Sequence, residues 1–116
     1  MNTNIIVNLQ IEGLHRWKEA KEIFPAVAFL SNFHRHVFWI TCKKRVNHSD
    51  RNVEFILYKR KITKYLNQIY SLNEDSNCLH FGGMSCEMIA KELLDKFELE
   101  YCSVMEDNEN GAEVYV

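Results

Sequence analysis

The four cysteines, Cys42, Cys78, Cys86 and Cys102, form no Cys-x-x-Cys pair, which argues against a structural zinc ribbon. The start, Met1-Asn2-Thr3-Asn4, has neither the basic residues nor the following apolar core of a secretory leader. The cysteines are therefore expected to stay reduced, in a cytoplasm. No apolar run reaches the roughly 20 residues that a membrane helix needs. The net charge is -2, and no basic patch is interleaved with aromatics, so no nucleic-acid footprint is read. The cluster Lys43-Lys44-Arg45 is read as a solvated strand end and not as a phosphate site. Neither an internal repeat nor a low-complexity segment occurs. What is left is a 116-residue chain, 47% hydrophobic and 26% charged, expected to form one soluble domain over 1–116.

Hydrophobic periodicity divides that domain. Ile5, Val7, Leu9 and Ile11 alternate with polar residues and predict a half-buried strand to Gly13, with His15 at or just past its end. Arg16–Lys21 is read as a charged link, and Phe24-Pro25 stops any helix there. Val37–Val46 is rich in β-branched and aromatic types and predicts a second strand, with Asn52–Phe55 as a candidate third edge. Ile56–Tyr70 carries apolar residues at helical spacing, and Asn73–Asn77 reads as a polar loop. Gly82-Gly83 leads to a second helix that Ser85 is placed to N-cap. Leu99–Met105 and Ala112–Val116 are the last strands, with Asn110-Gly111 as the hairpin turn. The expected class is α+β: a four-stranded antiparallel sheet with two helices on one face, in the order β-β-α-α-β-β. The other sheet face must then be polar or covered by another copy.

Chemistry concentrates in histidine. His34 and His36 flank Arg35 in an apolar, aromatic run, and residues two apart on a strand point to the same face. Both imidazoles can then reach one metal ion. A third ligand, His15, on a neighbouring strand would leave one tetrahedral position open, the layout of a catalytic zinc site. Chance also yields such pairs, and Glu106 taken by itself reads equally as an edge carboxylate. Cys86 lies where a helix dipole lowers a thiol pKa, although a small buried hydrophobe is the commoner role. The aromatics Phe33, Phe38, Trp39, Tyr58 and Tyr65 are assigned to core or interface.

In order along the chain, Gly13-Leu14-His15-Arg16, His34-Arg35-His36-Val37-Phe38, Met84-Ser85-Cys86-Glu87-Met88-Ile89-Ala90 and Val104-Met105-Glu106 followed by Ala112–Tyr115 resemble four motifs of one family. It is the 6-pyruvoyl-tetrahydropterin synthase family, which includes the 6-carboxy-tetrahydropterin synthase of queuosine biosynthesis. Asn52-Val53-Glu54-Phe55 similarly looks like the family's Asp-Phe approach to its first helix. The resemblance spans nearly the whole chain. It implies a zinc-dependent carbon–oxygen lyase, with Zn²⁺ on His15, His34 and His36 polarising a substrate hydroxyl or carbonyl. Glu106 would accept two parallel hydrogen bonds from the guanidine-like edge of a pterin or purine, and Ser85 holds the family's Thr position. It also implies a homo-oligomer, a trimer-based hexamer closing its sheets into a barrel, with sites between subunits.

Departures are equally specific. The family's catalytic Cys, four residues before the histidine pair, is Leu30 here, so the catalytic residues are left unassigned. The family's Leu-Asp-His has no match, since Asp75 and His80 have the wrong spacing. Arg35 replaces a glycine and is expected to put a bulky cation between the ligands. A catalytically silent homologue that binds a pterin, a purine or a protein is therefore the alternative. A structural metal site in an unrelated α+β domain is a third.

Overall fold

A computed structural model describes residues 1–116, with the side chains of Leu72 and Asn73 left outside the description. The order is β1 (Thr3–His15), α1 (Ala20–Ile23), a 3-10 helix (Pro25–Ser31), β2 (His34–Val46), α2 (Phe55–Ile69), β3 (Leu72–Asn73), β4 (Cys78–Gly82), α3 (Cys86–Phe97), β5 (Tyr101–Glu106) and β6 (Asn110–Tyr115). The sheet has six strands in the order β3-β4-β1-β2-β5-β6. The expected four are β1, β2, β5 and β6; the sequence reading missed β3 and β4. The sheet is mixed, because β4 runs parallel to β1 through Gly13↔Leu79 and His15↔Gly82. Five residues ending at Gly82 are too few for a period-two pattern to stand out, which is why β4 escaped notice.

The long hairpin β1–β2 pairs all thirteen residues of each strand, from Thr3↔Val46 to His15↔His34. Alternation then decides every face. Val7, Leu9, Phe38, Ile40, Cys42, Cys102 and Val104 point to one side, where they form a single core with Tyr58, Ile62 and Leu66 of α2 and Ile89, Ala90 and Leu93 of α3. Both helices therefore cover the same face, as expected. Ile6 and Trp39 lie exposed on the other.

Local signals set the ends of the helices. Glu54 caps α2 by accepting from the amides of Ile56 and Leu57, so Asn52–Glu54 leads into a helix and adds no strand edge. Ser85 caps α3 through the Met88 amide, as expected. Lys44 donates to the Phe97 and Glu98 carbonyls at the end of α3, a partner role that suits a cation there. The β5–β6 turn sits at Asp107 and Asn108, whose φ values are 55° and 57°, three residues before the expected Asn110-Gly111. Asp and Asn also tolerate the left-handed region, so both dipeptides are turn formers. Pairing settled which one turns. Among the described residues, no helix is long and apolar enough to cross a membrane.

Candidate metal centre

The alternation that buries the core also assembles the site. His15 continues the inward face of β1, His34 and His36 that of β2, and Glu106 that of β5, where it stands opposite Phe38. One ligand atom from each of these four residues lies within 4.8 Å of the others. Ring centroids are 4.6 Å apart for His15–His34, 5.4 Å for His15–His36 and 5.0 Å for His34–His36. Arg35 does not intrude. It falls on the opposite face by parity and pairs with Glu12 at 2.5 Å, which corrects the expectation of a cation between the ligands.

Each imidazole is held by its Nδ1. That of His15 donates to the Met84 carbonyl at 2.9 Å, and that of His34 to the Asn32 carbonyl at 2.8 Å. Nδ1 of His36 donates to Asp107 Oδ2 at 2.7 Å. An acceptor at Nδ1 fixes the proton there and leaves Nε2 with its lone pair, the usual preparation of a metal-ligating histidine. Nε2 of His15 and of His36 is buried and makes no well-directed hydrogen bond. They lie 2.9 Å and 3.6 Å from the Glu106 carboxylate. Unsatisfied buried nitrogens are costly in an apolar interior, and a divalent cation would satisfy them. Three imidazoles form a donor set that suits zinc. The residues fit the ion that the resemblance implies.

Electrostatics follow the geometry. Burial opposes a charge on His15, but Glu106 and the Met84 carbonyl outweigh it and raise its pKa. The close approach of the His15 ring, against burial and with further help from His36 and His34, lowers that of Glu106. Asp107 is lowered by the His36 bond and the Val37 amide. Burial first, then Glu106 and Glu87, pushes the Cys86 thiol up to about 12. Cys86 is thus the buried, inert group and not an activated nucleophile.

Beside the cluster opens a cleft of about 500 Å³, lined by His15, His34, Ser85, Glu106, Arg16, Trp17, Leu30 and Glu87 among others. Of the residues named from the sequence, His15, His34, His36, Ser85, Cys86, Glu106 and Leu30 border this cleft or the cluster. His80 does not; its ring packs on Phe33. The sequence reading overlooked Asp107, because its position reads as an ordinary turn residue.

A likeness to solved structures extends over the whole chain. The 6-pyruvoyl tetrahydropterin synthase of Caenorhabditis elegans is 15% identical, with a TM-score of 0.65 over 100% of this chain and 96% of the other. This chain has the 6-pyruvoyl tetrahydropterin synthase fold. The synthase of Plasmodium vivax, solved as an alanine variant of a catalytic glutamate, is 17% identical with a TM-score of 0.65 over 100% and 98%. An uncharacterized Wolinella succinogenes protein with the same fold is 14% identical, with a TM-score of 0.65 over 99% and 98%. No family model matches the sequence, and no curated protein matches it. Within the 6-pyruvoyl tetrahydropterin synthase fold, then, this chain is divergent.

Proposed function

We propose that the chain is a divergent 6-pyruvoyl/6-carboxy-tetrahydropterin synthase-like enzyme, acting on a dihydroneopterin-type pterin with zinc held by His15, His34 and His36. The observation that carries this reading is the set of three imidazoles, each pinned through Nδ1, with the Nε2 atoms of His15 and His36 buried beside the Glu106 carboxylate, in a fold shared with pterin synthases. When bound, the ion supplies Lewis-acid polarisation of a substrate hydroxyl or carbonyl. Glu106 orients the ring edge, and its lowered pKa keeps it an acceptor for two parallel N–H groups. Ser85 borders the same cleft while it caps α3. Trp17 and Leu30 give the cleft an apolar wall.

Proton transfer needs a base, and Leu30 cannot supply one. The Plasmodium vivax relative is described with a catalytic glutamate. Here Glu87 is the exposed cleft carboxylate not engaged with the histidines, and we assign it that task. Exposed Ile6 and Trp39 on the open sheet face, with Phe24 and Phe29 beside the cleft-forming loop, support a homo-oligomer, which we take as a trimer-based hexamer. Four free, buried thiols suit a reducing cytoplasm.

Leu30 on the cleft wall favours a second reading, a silent homologue that binds a pterin or purine without turning it over. One experiment separates the two. Purified protein is assayed for zinc and native mass, then incubated with dihydroneopterin triphosphate and followed by mass spectrometry. Loss of the triphosphate supports the enzyme. Tight pterin binding without turnover, abolished in Glu106→Ala, supports the silent homologue. Full zinc occupancy in His36→Ala would sink the metal assignment.

A further inference from the structure

Asp107 makes three bonds to two consecutive residues of β2. Its backbone N–H donates to the Val37 carbonyl at 2.8 Å, its Oδ1 accepts from the Val37 amide at 2.9 Å, and its Oδ2 meets Nδ1 of His36 at 2.7 Å. The left-handed turn conformation, φ 55°, brings the carboxylate to that edge of the ring. His15 and His34 give their Nδ1 protons to neutral carbonyls; of these three rings only His36 has a carboxylate facing its Nδ1.

We infer that Asp107 is a positioning residue of the metal centre, fixing His36 as the Nδ1–H tautomer and strengthening Nε2 as a donor toward a divalent cation. The inference rests on His15, His34 and His36 being metal ligands, as proposed above. A carboxylate can only accept, so the ring nitrogen facing it must carry the proton. A charged acceptor pulls that proton harder than a carbonyl does and leaves more electron density at the far nitrogen. The contacts to Val37 would serve a purely structural turn equally well. The contact to His36 would not be needed for one.

Asp107→Asn separates these roles. Asparagine tolerates the left-handed turn and keeps one acceptor oxygen, but it carries no charge and cannot serve both Val37 and His36. The full chain and its Asp107→Asn and Asp107→Ala variants are titrated with Co²⁺, read from its visible spectrum. The His36 ring nitrogens are followed by ¹⁵N NMR in metal-free protein with the imidazoles neutral. We expect unchanged circular dichroism, Co²⁺ affinity weakened about 10- to 100-fold, and loss of the pure Nδ1–H form at His36. Variants that bind Co²⁺ within about twofold of the parent, with the tautomer unchanged, would overturn the role. Should the parent bind no metal, the metal-centre reading fails by itself. The tautomer then decides: a shift in Asp107→Asn upholds positioning, and none overturns it.

Discussion

His15 and His34 stand directly opposite each other at the end of the β1–β2 ladder, their ring centroids 4.6 Å apart and their planes at 68°. Each is tied through Nδ1 to a different loop. The segment before α3 holds His15, and the end of the 3-10 helix holds His34. The pair thus joins the sheet end to both walls of the cleft, and an ion between these rings would brace all three.

Zinc should accordingly stabilise the folded chain. Free metal at about 100 times its Kd adds roughly 2.7 kcal/mol to the unfolding free energy. Thermal melts with zinc and with chelator should differ, and the difference should vanish in His34→Ala. An equal zinc response in that variant would place the ion elsewhere.

Ser85 has two roles at one position, helix cap and cleft wall. Ser85→Ala should lower stability by about 1 kcal/mol through the lost cap. Ser85→Asp should restore it, since aspartate caps equally well and suits the helix N-terminus. Denaturant midpoints check both. If pterin affinity falls in Ser85→Asp while stability recovers, the hydroxyl contacts the ligand as well.

Much of this centre was legible because its logic is strand parity. His34 and His36 are two apart, and the Ile5–Ile11 alternation carries through to His15, so three imidazoles on one face could be read from spacing. Glu106 needed more: it joins them only because β5 pairs with β2 in the register Phe38↔Glu106, a long-range fact that no local pattern encodes. Arg35 shows the same rule misapplied, since parity sends it to the opposite face from its neighbours. Asp107 was invisible for another reason. Its left-handed turn decides what its carboxylate touches, and turn residues are chosen for backbone conformation before chemistry.

Gly13 is the tight point behind the histidine cluster. It pairs with His36 in the ladder, and a Cβ built there would lie 2.4 Å from Cε2 and 2.6 Å from Cδ2 of the buried Phe81 ring. Gly13→Ala should therefore cost about 1–3 kcal/mol through overpacking. It should also weaken zinc binding, because the strand that shifts carries His15. Urea unfolding with a parallel zinc titration tests this. Unchanged stability would show that the ring moves aside freely.

If His15 is a zinc ligand as proposed, proton and metal compete for it, and this sets two pH trends of opposite sign. In metal-free protein the pKa of His15 is raised above its ordinary 6.5, and that of Glu106 is lowered below 4.5. The histidine contribution to stability is full below 6.5 and is lost as pH rises through the folded value. The glutamate contribution is full above 4.5 and is lost as pH falls through its folded value. The stability that the pair adds is thus greatest between these limits. The deficit of Glu106→Gln should be largest near about pH 5.5 and should shrink by about pH 8.5, read from urea midpoints under chelator. Zinc affinity must run the other way, rising over the same interval as the His15 proton leaves to make room for the ion. A zinc affinity that stays flat between those two pH values would mean that His15 is not a ligand.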